Sequence, residues 1–348
     1  MTMREHTYIP ALMVLMLAFV SCESIIEFKG EGVTPKIVIY SLLEPDSLVT
    51  VSVAVSHAVF DDRYEPEQIT DAVVRLYRDS EMLETLTYVP GEPQPEYAPQ
   101  NPYSRYVSLV NKPQYGSSYR IEVEIPGFRT ASGEASLPDP VPIVGIDTAQ
   151  VIIDWRDWVE RRLTVRVRFH DPAGQDNYYR VTAGSLIGFY IGSKELPYTP
   201  LQPVVVEEMD ISYAFYEEPL IAPKQDDDIF GMYLQNTYNL FTDELISGKE
   251  YELTMETYFS LPDTDYYEFA HASIRLHTIT RDLYLYLQSY AAHTQTRDNF
   301  LSEPVMVYTN VTDGLGVVGA VSTSVIALKI GEYPVDGVNY DYQNMLKK

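Results

Sequence analysis

The stretch "VTDGLGVVGA", residues 311–320, contains Gly314, Gly316 and Gly319 in the spacing G-x-G-x-x-G. In dinucleotide-binding proteins this spacing joins a strand to a helix inside a βαβ unit of about 30 residues. Here a strand-like segment, "PVMVYTN", precedes the glycines, and the segment that follows, "AVSTSVIALKI", is rich in β-branched residues that favour a strand. We therefore predict that the glycines bind no nucleotide. They are expected to form a hairpin turn and a bulge or close backbone contact inside an antiparallel sheet.

Outward from this stretch, apolar and polar residues alternate strictly in several segments. A period of two residues is typical of half-buried antiparallel strands. Pro, Gly and Asp separate these segments, which favours β-sandwiches over a parallel sheet covered by helices. The predicted fold class is therefore mainly β. The clearest alternating segments are "LVTVSVAV" (48–55), "YRIEVEI" (119–125), "RRLTVRVRF" (161–169) and "EYELTMETY" (250–258).

A domain boundary is predicted at "SLPDPVPIVG". Pro138, Pro140 and Pro142 cannot all donate hydrogen bonds to a sheet and are typical of a stiff, extended linker. Residues 36–137 contain about seven strand candidates, the number expected of an immunoglobulin-like or transthyretin-like β-sandwich. Residues 138–348 are expected to form a second domain that is mainly β and sandwich-like.

One helix is predicted near residues 280–293 of the second domain. Thr280 can cap its N-terminus, and Asp282 favours the positive end of the helix dipole. An apolar stripe at helical spacing predicts that one side of this helix packs against the core. The stripe consists of Leu283, Leu287, Tyr290 and Ala291.

The N-terminus has the pattern of an export signal, in which an apolar run from residue 9 to 20 is too short to cross a bilayer of about 30 Å. The sequence "AFVSC", which ends at Cys22, resembles a bacterial lipobox, where the cysteine becomes the new N-terminus and carries acyl chains such as palmitate. Cys22 is the only cysteine, so no disulfide can form within the chain. We predict a signal peptide at residues 1–21, a tether at residues 22–35, and membrane anchoring through the acylated Cys22.

Charge and composition exclude one class of partner. The formal net charge is −25, and hydrophobic residues make up 45% of the chain, which is typical of a folded protein. A chain this acidic repels nucleic acids and anionic lipid surfaces. We therefore exclude DNA and RNA as partners.

Several segments, taken in their order along the chain, resemble the Bacteroidota cell-envelope lipoproteins catalogued as domain of unknown function 4249. The resemblance covers nearly the whole mature chain. It implies a lipoprotein of the outer membrane, on the cell surface or the periplasmic face, with no established chemistry. Such proteins are often encoded near TonB-dependent receptors, so a receptor barrel is an expected partner. The segments are "SLPDPVPI", "FHDPAGQDNYYRV", "LISGKEYEL", "LYLYLQSY" and "FLSEPVMVYTNVTDGLGVVGA".

A search for chemistry predicts no catalytic residue, no metal and no cofactor, because neither H-E-x-x-H nor G-x-S-x-G is present. His271 and His277, with Glu268 nearby, provide part of a metal site, but packing or surface roles are the simpler alternative. The consecutive aspartates at 226–228 point in different directions. This arrangement suits a solvated loop better than a calcium site.

Arginines form a local exception in this acidic chain. Arg162, Arg166 and Arg168 share one face of a predicted strand, where a row of guanidinium groups can bind phosphate or carboxylate. Alternatively, Glu and Asp on neighbouring strands neutralise the row.

Tyrosines are dense between residues 178 and 238. Their amphipathic rings either form a recognition surface for a peptide or a glycan or fill the core of a sandwich. The candidate surface tyrosines are Tyr178, Tyr179, Tyr198, Tyr213 and Tyr216.

These features predict a non-catalytic, outer-membrane-anchored lipoprotein that serves as a binding or accessory subunit of a TonB-dependent receptor. One alternative is a structural or adhesive surface lipoprotein whose sandwiches act as spacers. A hydrolase is the third possibility, and it requires a concave cluster of perturbed titratable groups that no motif in the sequence indicates.

Overall fold

The structure, a computed structural model, describes residues 34–57, 68–90, 104–155, 158–190, 203–210, 213–215, 218–221, 235–259, 267–297 and 305–332. Within these ranges the chain forms strands and a single helix, which confirms the mainly β fold class. The helix is α1 (Arg281–Thr296). The strands are β1 (Ile37–Leu43), β2 (Thr50–Val55), β3 (Val73–Arg78), β4 (Glu81–Thr85), β5 (Thr87–Val89), β6 (Ser104–Val107), β7 (Ser118–Glu124), β8 (Ala131–Ser136), β9 (Ile143–Trp155), β10 (Trp158–His170), β11 (Tyr178–Tyr190), β12 (Pro203–Asp210), β13 (Tyr213–Ala214), β14 (Leu240–Thr242), β15 (Glu250–Phe259), β16 (Tyr267–Ile279) and β17 (Gly314–Glu332).

The first sandwich contains strands β1 to β8. Its four-stranded sheet, in the order β4-β3-β7-β8, packs against β1, β2 and β6 of a larger sheet. The predicted alternation is confirmed in β7, where Tyr119, Ile121 and Val123 are buried and contribute to the first core. In β2 the same period buries Val51 and Val53. Burial of one face of each strand therefore accounts for the local pattern.

The second sandwich packs the four-stranded sheet β13-β15-β10-β9 against the other half of the large sheet, in the order β12-β11-β16-β17. Val165, Val167 and Phe169 of β10 are buried, as their alternation predicts. They pack with the inward side chains of β11, among which are Tyr179 and Val181. Apolar burial of this kind is the main favourable term in forming a sandwich.

Strand β17 belongs to both sandwiches. Its residues 314–320 pair in parallel with β1, and its residues 321–332 pair antiparallel with β16. One nine-stranded sheet therefore runs through both halves of the chain. The boundary between residues 137 and 138 stays a prediction. The structure adds a connection across it, because Val318 and Ala320 lie in the first core.

The glycines of β17 allow close approach of other backbone and side chains. Gly316 has a φ of 99°, and a Cβ there would overlap the carbonyl oxygen of Ile39 on β1. A Cβ on Gly319 would lie 2.9 Å from the Cβ of Leu283 on α1. The predicted close backbone contact is confirmed. The predicted hairpin turn in an antiparallel sheet is wrong, because the glycines pair in parallel with a strand that is distant in sequence.

The predicted strand at "PVMVYTN" is also wrong, because the described residues 305–310 form no strand. The Tyr308 hydroxyl donates a hydrogen bond to Asp282 at the start of α1 (2.5 Å). The amide of Asn310 pairs with both backbone groups of Val318, accepting from its N–H (3.0 Å) and donating to its carbonyl (2.8 Å). Side-chain hydrogen bonds to α1 and β17 thus replace the backbone ladder that a strand requires.

Helix α1 begins after Thr280, as predicted, but the side chain of Thr280 does not cap the helix. Instead the Thr280 hydroxyl accepts a hydrogen bond from the N–H of Ala320 (3.3 Å). Three residues of the predicted stripe are buried against the large sheet, namely Leu283, Leu287 and Ala291. Tyr290 is 42% exposed, so its assignment to the core is wrong. It lies at the edge of the stripe, where its ring stacks on Tyr286.

Candidate functional site

The predicted arginine row lies on β10, where carboxylates face it from both neighbouring strands. Arg168 is 3.4 Å from Asp147 on β9 and 3.9 Å from Glu252 on β15, and Arg166 is 3.8 Å from Glu252. The cross-strand alternative is therefore confirmed for these two arginines. The side chain of Arg162 lies outside the described residues. We call Arg166 and Arg168, with their two carboxylates, the paired arginine row.

Tyr179 is wrong as a surface residue. It is fully buried, and its ring stacks on Phe241 with 5.0 Å between the ring centroids. Its hydroxyl donates to Oδ1 of Asp171 (2.5 Å), whose Oδ2 accepts from the N–H of Gly248 (3.0 Å). Burial and the adjacent Asp171 carboxylate raise the pKa of the Tyr179 hydroxyl. This tyrosine therefore belongs to the core of the second sandwich.

Of the other predicted tyrosines, two lie within the described residues and two lie outside them. Tyr178 points to the face of β11 opposite Tyr179, and its ring lies 5.2 Å from that of Tyr284 on α1. The backbone of Tyr213 pairs with Thr257 as part of β13. Tyr198 and Tyr216 lie outside the described residues, as do Cys22 and the aspartates at 226–228.

A group of side chains meets where α1 covers the outer surface of the large sheet. We call this group the tyrosine face. The sheet contributes polar residues from β11, β16 and β17, and the rings come from β1, α1, β11 and the turn before β14. The tyrosine face consists of Tyr40, Tyr178, Tyr238, Tyr284, Tyr286 and Tyr290, together with Arg180, Thr182, His277 and Thr323.

The rings of the tyrosine face form a connected set. The centroid of Tyr286 lies 6.2 Å from that of Tyr40 and 5.9 Å from that of Tyr290, and the Tyr286 and Tyr290 planes differ by only 6°. Tyr286 and Tyr290 are four residues apart on α1, so the helix places them on one side. Tyr40 is 37% exposed and Tyr290 is 42% exposed. The set therefore combines packed rings with residues that are partly exposed to solvent.

Arg180 is the cation of the tyrosine face, and a second arginine, Arg275, lies on the same side of the sheet, in register with Thr182. The Cζ of Arg180 lies 5.6 Å from the ring centroid of Tyr238, within the range of a cation–π contact. Burial raises the pKa of the Tyr40 hydroxyl, the Arg180 guanidinium acts against that rise, and the Glu44 carboxylate adds to it. In the ranges that the structure describes, Arg180 forms no ion pair, and its buried Nε has no hydrogen-bond partner.

His277 connects three strands of the tyrosine face. Its Nε2 lies 2.8 Å from Oγ1 of Thr182 on β11, and its Nδ1 lies 2.8 Å from Oγ1 of Thr323 on β17. Burial, together with the positive charges of Arg180 and Arg275, lowers the pKa of His277 to about 4. His277 is therefore neutral at pH 7, and each ring nitrogen already has a partner. It is a structural residue here and offers no free nitrogen to a metal.

A second buried carboxylate also has protein partners. Glu218 accepts hydrogen bonds from the Tyr251 hydroxyl (2.5 Å), the N–H of Thr254 (2.8 Å) and the N–H of Leu220 (3.2 Å). Burial and the Glu218 carboxylate raise the pKa of Tyr251. Buried carboxylates with several donors stabilise local structure, so Glu218 holds the segment before β14 against β15.

The described residues contain neither a metal-ligand cluster nor a membrane-spanning helix. Across the described ranges, no three His, Cys, Asp or Glu residues group closely enough to hold a metal ion. The same part of the chain contains no helix with the length and apolar character needed to span a bilayer.

The tyrosine face can bind a ligand that combines an anionic group with a ring or another flat surface. The guanidinium of Arg180 suits the anion, and tyrosine rings suit the flat surface. The sequence indicated Tyr178 as part of such a surface, but it did not indicate Tyr40 or Tyr286. The i, i+4 spacing of Tyr286 and Tyr290 was an available signal. The approach of Tyr40 to α1 had no local signal, because it depends on the pairing of β1 with β17.

The model of the family described as Domain of unknown function (DUF4249) matches residues 23–326 of the chain. The match includes every residue of the tyrosine face. No curated protein matches the chain.

Proposed function

The chain belongs to the DUF4249 family, and we propose that it is a non-catalytic binding protein of the outer membrane, anchored through an acylated Cys22. In this proposal it acts as an accessory subunit of a TonB-dependent receptor and binds a ligand at the tyrosine face. The tyrosine face is the observation that carries the proposal. It combines partly exposed rings with a half-buried arginine that has no carboxylate partner within the described part of the chain.

The composition of the tyrosine face favours binding. Arg180 forms no ion pair with the carboxylates of the described residues, so its terminal guanidinium nitrogens can pair with an anionic ligand. The surrounding rings would supply apolar contact area with little loss of side-chain entropy, because tyrosine has few rotatable bonds.

The proposed anchor rests on the N-terminal sequence. The apolar run ends at Cys22, and the family match begins at residue 23. An acyl chain contributes about 0.8 kcal/mol for each methylene buried in lipid, and two or more chains give stable anchoring. The folded domains would then work next to the membrane, at the distance that the tether allows.

The test is affinity purification of the tagged chain from outer membranes in mild detergent, followed by mass spectrometry. We expect a TonB-dependent barrel in stoichiometric amount with the natural chain and a large reduction with Cys22→Ala. Metabolic labelling with a palmitate analogue should mark the natural chain and leave Cys22→Ala unlabelled. Recovery of the chain alone would contradict the accessory role and favour the adhesive alternative, which cell-adhesion assays on a deletion strain would then examine.

A further inference from the structure

We propose that the tyrosine face binds an acidic sugar, whose carboxylate pairs with Arg180 while its ring packs against the tyrosines. This inference names the ligand class of the site described above, and it therefore rests on the proposed binding function.

Arg180 differs from the arginines that form ion pairs in this acidic chain. Asp and Glu outnumber Lys and Arg by 50 to 25, and several described arginines lie against carboxylates. Arg75, for example, is 3.0 Å from both Glu122 and Glu124. Arg180 instead lies against the ring of Tyr238. An arginine without a carboxylate partner can bind an external anion through its terminal nitrogens.

The geometry favours a carboxylate over a phosphate. A single guanidinium forms two parallel hydrogen bonds with a carboxylate, and its planar fork matches the two oxygens. A phosphate dianion usually takes donors from several directions, for instance from a series of backbone N–H groups. At the tyrosine face the neighbouring ring nitrogens of His277 are occupied by Thr182 and Thr323, and the adjacent Arg275 already interacts with another residue, so neither adds a free donor.

The rings favour a sugar as the carrier of that carboxylate. A sugar ring has an apolar C–H face, which packs on aromatic rings, and an edge of hydroxyl groups, which needs hydrogen-bond partners. Tyr40, Tyr286 and Tyr290 offer connected rings, and Tyr40 and Tyr290 are partly exposed. Thr182 and Thr323 hold hydroxyls in fixed positions through the neutral His277. Aromatic rings with a few placed polar groups are the usual lining of a small-molecule site.

The test uses the full chain carrying Cys22→Ala, so that it is free of lipid, and titrates it with glucuronate and with glucose by NMR. We expect glucuronate to bind at least about tenfold more tightly than glucose, since a charge-assisted bidentate pair contributes that much or more. Arg180→Gln should abolish the preference by weakening the binding of glucuronate. Arg168→Gln, a matched change in the paired arginine row, should leave the preference intact.

A second variant and two further probes keep the outcomes distinct. Arg180→Lys retains the charge and removes the planar fork, so it should reduce the preference for glucuronate, and it replaces Arg180→Gln if that variant does not fold. Equal binding of glucose and glucuronate would overturn the inference while leaving a binding protein. Tighter binding of glucose 6-phosphate or of a short peptide with a free C-terminal carboxylate would overturn the ligand class. The absence of any binding would overturn the inference, and co-purification of a receptor barrel would then decide the proposed function separately.

Discussion

The polar side chains on the two faces of β11 differ in how fully they are paired within the protein. On the inward face, the Tyr179 hydroxyl and both oxygens of Asp171 have partners within the protein. On the outward face, Arg180 contacts rings and has no carboxylate in the described part of the chain. Because successive residues of a strand point to opposite sides, one position along the chain separates a completed network from an open one. The inward network stabilises the sandwich, and the outward one retains capacity for another molecule.

Truncation of a whole side chain to alanine should give the largest difference in stability between the two faces of β11. Tyr179→Ala removes a fully buried ring and should lower the free energy of unfolding by about 3–5 kcal/mol. Tyr178→Ala, one residue away, removes a half-buried ring that contacts Tyr284 and should cost about 1 kcal/mol. Urea unfolding of both variants gives the comparison. Equal losses would show that the two faces do not differ in the way described.

On the outward face, His277 should make the free energy of unfolding depend on pH. In the unfolded chain His277 takes up a proton as the pH falls through 6.5, whereas in the folded protein it does so only near pH 4. The unfolded state thus binds more protons in this window. The free energy of unfolding should therefore fall by roughly 3 kcal/mol between pH 6.5 and pH 4 through this residue alone.

The variant His277→Gln isolates that contribution. Many carboxylates titrate in the same window, so the useful quantity is the stability difference between the natural chain and the variant at pH 7 and at pH 4. We expect the natural chain to lose its advantage as the pH falls. Histidine resonances followed by NMR should give a low pKa for His277, and an ordinary value would contradict the buried, neutral row between Thr182 and Thr323.

Removal of a single hydroxyl gives a smaller and sharper test. Tyr179→Phe keeps the packed ring but leaves Asp171 without one of its donors in a buried site, which should cost about 2 kcal/mol. Tyr178→Phe should change the free energy of unfolding by less than about 0.5 kcal/mol, as surface changes usually do. A similar loss in both variants would mean that the Asp171 hydrogen bond contributes little.

The sequence predicted which face of a strand is buried better than it predicted which strands pair. The alternation of Val165, Val167 and Phe169 correctly indicated a buried face because that pattern is local. Tyr179 was misplaced because tyrosine suits both a core and a surface. Its alternation with Val181, two residues further along, would have indicated the inward face.

Local sequence patterns could not predict the tyrosine face. Tyr40, Arg180 and Tyr286 come from three separate elements and meet only because β1 pairs in parallel with β17 and α1 folds over the result. Pairing between strands that are distant in sequence has no signature in either strand alone. For the same reason, alternation predicted that Arg166 and Arg168 share a face, but only the register of β9, β10 and β15 identifies Asp147 and Glu252 as their partners.

The smallest expected effect concerns the stability contribution of the two arginine environments. Arg168→Gln removes an ion pair in which both partners are about half exposed, so the loss should be at most about 0.5 kcal/mol and should diminish in high salt. Arg180→Gln should change stability by less than about 0.5 kcal/mol, because the lost cation–π contact with Tyr238 is offset by removal of a buried Nε without an acceptor, a feature that Arg168 shares. Chemical unfolding at low and high salt measures both. A clear loss of stability in Arg180→Gln alone would mean that Arg180 supports the fold, and the outward face of β11 would then resemble the inward one.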